Sequence, residues 1–168
     1  LCRDLVNETS DSSNPLAIAK HASALAKIRN VACKVFNEKE IEKQGMGLIK
    51  AVSRGASCPP RLVVLRYRGN PSTRKSLAIV GKGITFDSGG MNLKSSGNIE
   101  SMRSDMAGAA TAMYVLKSAA ELRLKINLYA VMPLAENMIG AASYRPGDVY
   151  RAYNGKTVEI GNTDAEGR

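Results

Sequence analysis

The segment Ser76-Leu77-Ala78-Ile79-Val80-Gly81-Lys82-Gly83-Ile84-Thr85-Phe86-Asp87-Ser88-Gly89-Gly90 decides how the rest of the chain is read. Ser76 to Val80 is an apolar run with β-branched members, the composition of a short strand. The polar, glycine-rich stretch Lys82 to Gly90 follows directly. Open α/β sheets collect their ligands beyond the carboxyl ends of strands. The stretch is therefore either a binding loop or a structural turn, since glycine and Asp also serve turns for backbone reasons. A phosphate cradle of the G-x-x-x-x-G-K-[ST] kind does not fit, because that spacing is absent and Lys82 precedes the loop.

Upstream, Arg61 to Arg68 reads as another strand, parted from the first by the turn cluster Gly69, Asn70 and Pro71, and Val31 to Phe36 as a third. Asn14 before Pro15 starts a helix, with Ile18, Ala22, Leu25 and Ile28 on its apolar face. Asn37 with Glu40 forms a capping box, and Ile41, Leu48, Ile49 and Val52 predict a second helix ending near Gly55. Downstream, Met106, Ala109, Met113, Leu116 and Ala120 stand at helical spacing in a small-residue-rich helix from Asp105 to Leu122. Ile126 to Met132 is the next apolar strand. Asn154-Gly155, between Val149 to Tyr153 and Lys156 to Ile160, predicts a hairpin with a type I′ turn, whose two central residues need positive φ. Strand and helix alternate, which predicts an α/β fold: a layered sheet with flanking helices, largely parallel, with an antiparallel excursion near the end.

Composition bounds the function. The 168 residues are 44% hydrophobic and 23% charged, which argues against disorder and collagen-like structure. No apolar run approaches the roughly 18 residues of a membrane-spanning helix. Cys2, Cys33 and Cys58 are odd in number and lack metal-ligand spacing, so a reducing compartment, the cytoplasm, fits better than a disulfide framework. His21, the only histidine, lies in an alanine-rich helix; a Ser-His-Asp hydrolase or a His-ligated zinc site would have to be built around that single ring. The net charge of +9 is uneven: residues 1–81 hold 14 Lys/Arg against 6 Asp/Glu, residues 82–168 hold 10 against 9. A basic half attracts nucleic acid, but its charges are scattered and no aromatic residues interleave with them for base stacking, as in solvated faces. The chain starts at Leu1 and stops at Arg168 like a piece of something longer, with room upstream for a targeting segment.

Asp105, Asp164 and Glu166 give the glycine-rich loop its chemical context. In an extended segment, alternate residues point the same way, so Asp164 and Glu166 are able to face one site. Taken singly, each carboxylate is an ordinary surface charge. Clustered, they repel unless protonated or bound to cations, and divalent metals are the usual solution.

Lys82 to Lys94, Asp105 and Asn162-Thr163-Asp164-Ala165-Glu166-Gly167-Arg168 resemble the leucyl aminopeptidase family of two-metal exopeptidases, and the likeness runs back to Arg3-Asp4-Leu5-Val6-Asn7. The resemblance implies that residues 1–168 are the N-terminal portion of the catalytic domain, without the family's smaller N-terminal domain or the second half of the catalytic domain. It implies Lys82, Asp87, Asp105, Asp164 and Glu166 as ligands of two divalent ions, zinc or manganese, with Asp87 and Glu166 shared. The amine of Lys82 has to be neutral to ligate, far from its reference pKa of about 10.4, and the metal supplies that drive. Lys94 and Arg168 are implied as catalytic, Lys94 stabilising the oxyanion and Arg168 holding a bicarbonate that moves a proton. Met102 is implied in the substrate pocket and Asn162 beside the site. The implied activity is removal of N-terminal residues from peptides, with apolar ones such as Leu preferred, by a homohexamer. The alternative is a non-catalytic role, DNA-binding or structural, which some relatives perform.

Overall fold

The computed structural model describes residues 1–167. Along the chain run α1 (Cys2–Asn7), α2 (Pro15–Ala24), β1 (Val31–Phe36), α3 (Glu38–Lys43), α4 (Gly47–Val52), β2 (Arg61–Arg68), β3 (Leu77–Val80), β4 (Gly83–Asp87), α5 (Ser96–Ile99), α6 (Ala107–Glu121), β5 (Asn127–Asn137), β6 (Val149–Arg151) and β7 (Thr157–Glu159). The α/β reading holds, and so do its helix-start signals. Asn14 caps α2, its Oδ1 accepting from the amides of Leu16 and Ala17 at 3.1 and 3.0 Å. The capping box closes in both directions, Glu40 N to Asn37 Oδ1 and Asn37 N to Glu40 Oε2.

The main sheet is ordered β1-β2-β5-β3, with β4 also on β5. It is mixed rather than largely parallel: β1 and β2, and β2 and β5, pair antiparallel, whereas β3 and β4 run parallel to β5. β3 and β4 are two pieces of one line, β3 beside Leu128–Val131 and β4 beside Leu134–Asn137. The line breaks at Gly81-Lys82, where the amino end of α6 enters: Ala109 N donates to Lys82 O at 2.8 Å, and a Cβ on Gly81 would lie 2.3 Å from Gly108 O. Only glycine permits that approach.

β5 extends through Pro133 to Asn137, beyond the expected end at Met132. Proline is ordinarily foreign to an inner strand because it has no N–H to donate. Here Val131 gives its carbonyl to Gly81 N, so the backbone groups of Pro133, two residues on, face the same neighbour, where the β3–β4 line is interrupted. The missing donor falls where no partner waits.

Two other expectations change. The second helix is split into α3 and α4 at Gln44-Gly45, where Met46 N closes onto Ile41 O. The hairpin at Asn154-Gly155 forms, but only Gly155 has positive φ, at +86°. Gly155 N donates to Ala152 O and Ala152 N to Lys156 O, which is a type I turn followed by a left-handed glycine.

The core lies on one face of the sheet. Ile18 and Ala22 of α2 and Ala109, Met113 and Leu116 of α6 are buried against Val63, Leu65, Ala130 and Met132. The β3 edge is open, with Leu77 62% and Val80 70% exposed, and among the described residues no helix is long and apolar enough to cross a membrane.

Candidate metal centre

Strand ends and two loops assemble the site. Asp87, the last residue of β4, is 1% exposed. Gly89 and Gly90 then take φ of +88° and +63°, and Gly89 N donates back to Asp87 Oδ1 at 2.9 Å. These left-handed residues fold the loop on itself, and Lys94 N reaches Ser88 O at 3.0 Å. The Lys94 side chain comes to lie over the carboxylates, its Nζ 3.2 Å from Asp87 Oδ2 and paired with Asp164 Oδ1.

Lys82 stands in the break between β3 and β4. Its Nζ is 2.6 Å from Asp105 Oδ2, 2.7 Å from Glu166 Oε1 and 3.9 Å from Asp87 Oδ2. Asp87, Asp164 and Glu166 each offer an oxygen within 4.8 Å of the others. The five expected ligands and Lys94 therefore meet in one place, although Asp87 at the end of β4 and Asp164 in its loop are separated by the whole of α6 and β5.

The 162–167 loop is stapled to the 88–94 loop through Thr163, which is fully buried. Thr163 N donates to Asn92 Oδ1 and Asn92 N to Thr163 Oγ1, both at 2.8 Å. The Thr163 hydroxyl donates to Gly89 O at 2.6 Å. Tyr144 Oη donates to Thr163 O at 2.6 Å, and burial, reinforced by the nearby charges of Glu166, Asp87 and Asp164, pushes its phenol well above the usual range. It stays a neutral donor. None of Asn92, Asn137, Tyr144 and Thr163 figures among the expected site residues. Thr163 had a signal, standing inside the run Asn162 to Arg168 that carries the family resemblance, whereas Asn137, five residues past the expected end of its strand at Met132, had none.

Electrostatics tie the lysines to the carboxylates. Burial works against the Lys82 ammonium, but its close pairing with the Asp105 and Glu166 carboxylates wins and raises its pKa. Lys94 shows the same balance with Asp164 and Asp87. Burial raises the Asp105 carboxyl, with the Asp87 charge adding to it and Lys82 opposing. The compensation is incomplete: Asp105 Oδ2 and Glu166 Oε1 are buried without a well-aligned hydrogen-bond partner among the described residues. Lys82 meets them at ion-pair distance but off the direction of a hydrogen bond, so the ammonium supplies charge rather than directed bonds. Buried carboxylate oxygens in that condition, with an amine between them, suit a divalent cation.

The other expected residues are less central. Asn162 lines the cleft beside the carboxylates, and its Oδ1 accepts from Asp164 N at 2.7 Å, fixing the turn. Met102 lies half-buried in the 3₁₀ turn leading to Asp105. Arg168 lies outside the described residues. His21 is an exposed helix residue whose Nε2 is 2.9 Å from Tyr114 Oη, away from the site. The cleft measures about 1100 Å³, with Lys82, Asp164 and Glu166 at its polar side and Val80, Ile84 and Pro133 on its apolar wall.

Residues 1–168 match the model of the cytosol aminopeptidase family, catalytic domain. A probable cytosol aminopeptidase of Protochlamydia amoebophila is 46% identical over 167 residues, covering 99% of the chain and 34% of the relative. One from Syntrophotalea carbinolica is 45% identical over 168 residues, with 100% and 34% covered. The crystal structure of cytosol aminopeptidase from Coxiella burnetii superposes with a TM-score of 0.93 at 38% identity, over 99% of the chain and 36% of that protein. The chain thus spans about a third of the length of the relatives it matches.

Proposed function

Because the chain belongs to the cytosol aminopeptidase family, we propose that residues 1–168 are the N-terminal portion of the catalytic domain of a metal-dependent aminopeptidase that hydrolyses the first peptide bond of peptides. The observation that carries this reading is the gathering of Asp87, Asp105, Asp164 and Glu166 about Lys82 and Lys94, with Asp105 Oδ2 and Glu166 Oε1 buried and lacking a directed partner among the described residues. Lys82, Asp87, Asp105, Asp164 and Glu166 would hold two divalent ions, zinc or manganese, with Asp87 and Glu166 shared. When bound, such ions polarise a substrate carbonyl and make hydroxide available near neutral pH.

The chain's own residues do the rest. The Lys82 ammonium has to give up its proton to ligate, so its acidic neighbours, which hold that proton, make metal uptake release a proton and strengthen as pH rises. Lys94 keeps its proton, held by Asp164 and Asp87, and offers a fixed positive charge to the negative charge developing on the substrate oxygen. Arg168 would hold bicarbonate through its planar guanidinium fork, as a relay for the proton bound for the leaving amine. The apolar wall of the cleft would take the first side chain and favour Leu and similar residues, and Met102, which stands outside that wall in the turn before Asp105, would add to the pocket. We place the protein in the cytoplasm, as a homohexamer. A DNA-binding or structural role, the alternative implied by the resemblance, finds support in this chain only from the basic but scattered charge of residues 1–81 and requires none of the gathered carboxylates.

The test is chelation of the full-length protein, with leucyl-peptide hydrolysis as readout. Activity is expected to vanish with the metal and return with manganese or zinc. Full turnover by protein that elemental analysis finds metal-free would refute the reading.

A further inference from the structure

Asn137 closes β5 and is wholly buried. Its Nδ2 donates to Asp87 Oδ1 at 2.8 Å, to Thr163 O at 2.9 Å and to Glu166 Oε2 at 3.3 Å. An amide nitrogen has two hydrogens, so three acceptors share them. The opposite amide orientation would set a carbonyl oxygen against two carboxylates and a main-chain carbonyl, which fixes the assignment. The backbone of Asn137 is engaged as well, its carbonyl accepting from Ser88 N at 2.9 Å and Ser88 Oγ at 2.7 Å.

These bonds divide the labour within each carboxylate. Asp87 Oδ1 and Glu166 Oε2 are tied to the amide. The other oxygens, Asp87 Oδ2 and Glu166 Oε1, face the lysines, at 3.2 Å from Lys94 Nζ and 2.7 Å from Lys82 Nζ. One neutral group, held at the end of a central strand, thus holds two acids, one at the end of β4 and one in the 162–167 loop.

We propose that Asn137 is a positioning residue that presents one oxygen each of Asp87 and Glu166 to the metal centre. The inference rests on the metal-dependent reading above. Partners of metal ligands that never touch the ion typically govern affinity by about 10–100-fold. Asn137 adds no charge, so its action is orientation, and it should appear in metal affinity before substrate affinity.

The experiment uses the full-length protein, stripped of metal, with manganese(II) titrated by calorimetry and thermal unfolding followed in the same metal-free samples. Asn137→Ala is expected to lose about 10–100-fold in manganese affinity, to regain most of its kcat at high manganese, and to keep its KM for a leucyl peptide. Asn137→Leu, of the same branched shape but without a donor, should behave alike and controls for the cavity. Wild-type manganese affinity in either folded variant overturns the proposal, whatever its melting temperature. Failure of both variants to fold overturns it too, by making Asn137 a structural residue. Wild-type protein that binds no manganese and hydrolyses peptides without it overturns the underlying reading instead.

Discussion

The two ends of β5 are both closed by an asparagine, and the two residues do different things. At the amino end, Asn127 Nδ2 gathers the carbonyls of Asn70, Thr73 and Lys75 at 2.8, 3.0 and 3.1 Å, while its Oδ1 accepts from Asn70 N at 3.1 Å. Every polar atom of that side chain is satisfied by neutral backbone, and the result is a fastened loop between β2 and β3. At the carboxyl end, Asn137 donates to two carboxylates and is left with a buried, unpartnered Oδ1 among the described residues. The same chemical group, on the same strand, is fully satisfied where it serves the scaffold and under-satisfied where the chemistry gathers. Unsatisfied buried polar atoms usually have such an explanation.

The comparison breaks most sharply at the two lysines of the carboxyl end. Lys94→Ala in the full-length protein is expected to lower kcat by roughly 10²–10³-fold, the scale for losing one donor to a developing oxyanion, with metal content near normal. Lys82→Ala should instead lose metal from one site and recover part of its activity as the metal concentration is raised. Elemental analysis with steady-state kinetics on both separates them. Loss of metal from Lys94→Ala and its retention in Lys82→Ala would reverse the two roles.

The amino end gives a smaller effect of another kind. Asn127→Ala removes the donor to three carbonyls, and the expected cost is about 1–3 kcal/mol of stability, read by chemical denaturation, with kcat and metal affinity unchanged. A change in metal affinity would erase the distinction between the two ends.

The smallest effect concerns Glu136, next to Asn137. Burial raises its carboxyl pKa, and the Asp11 charge adds to the shift; Cys58 lies in the same pocket. Since the folded value lies above the unfolded one, the ionised form disfavours folding, and stability falls as pH rises from the ordinary 4.5 through the raised folded value. Glu136→Gln should therefore be slightly more stable than the parent at neutral pH, by less than the Asn127→Ala effect, and the gap should close below the unfolded value. A gap that widens in acid would show the carboxylate to be favourably held.

Much of the scaffold is legible along the chain because its signals are local. Asn14-Pro15, the Asn37 and Glu40 box, and the bounds of β1 and β2 follow from which groups a few adjacent residues offer one another. The departures occur where a distant partner decides. Pro133 ends a strand when read alone, yet is accommodated once the break at Gly81-Lys82 lies beside it. Which strands β1, β2 and β5 lie beside is decided by distant partners, Tyr67 of β2 standing opposite both Val31 and Leu128.

The site divides in the same way. Residue types and motifs are properties of the chain, and through the family resemblance they carry, Lys82, Asp87, Lys94, Asp105, Asp164 and Glu166 stand out from the sequence. Which lysine faces which acids is a property of the fold alone: Lys82 lies with Asp105 and Glu166 because α6 enters a broken strand, and Lys94 lies with Asp164 because Thr163 and Asn92 staple two loops together. Asn137 belongs wholly to that second kind. Its side chain matters through three acceptors far from it in sequence, and hydrogen bonds are made by distance and direction in space, which no linear pattern encodes.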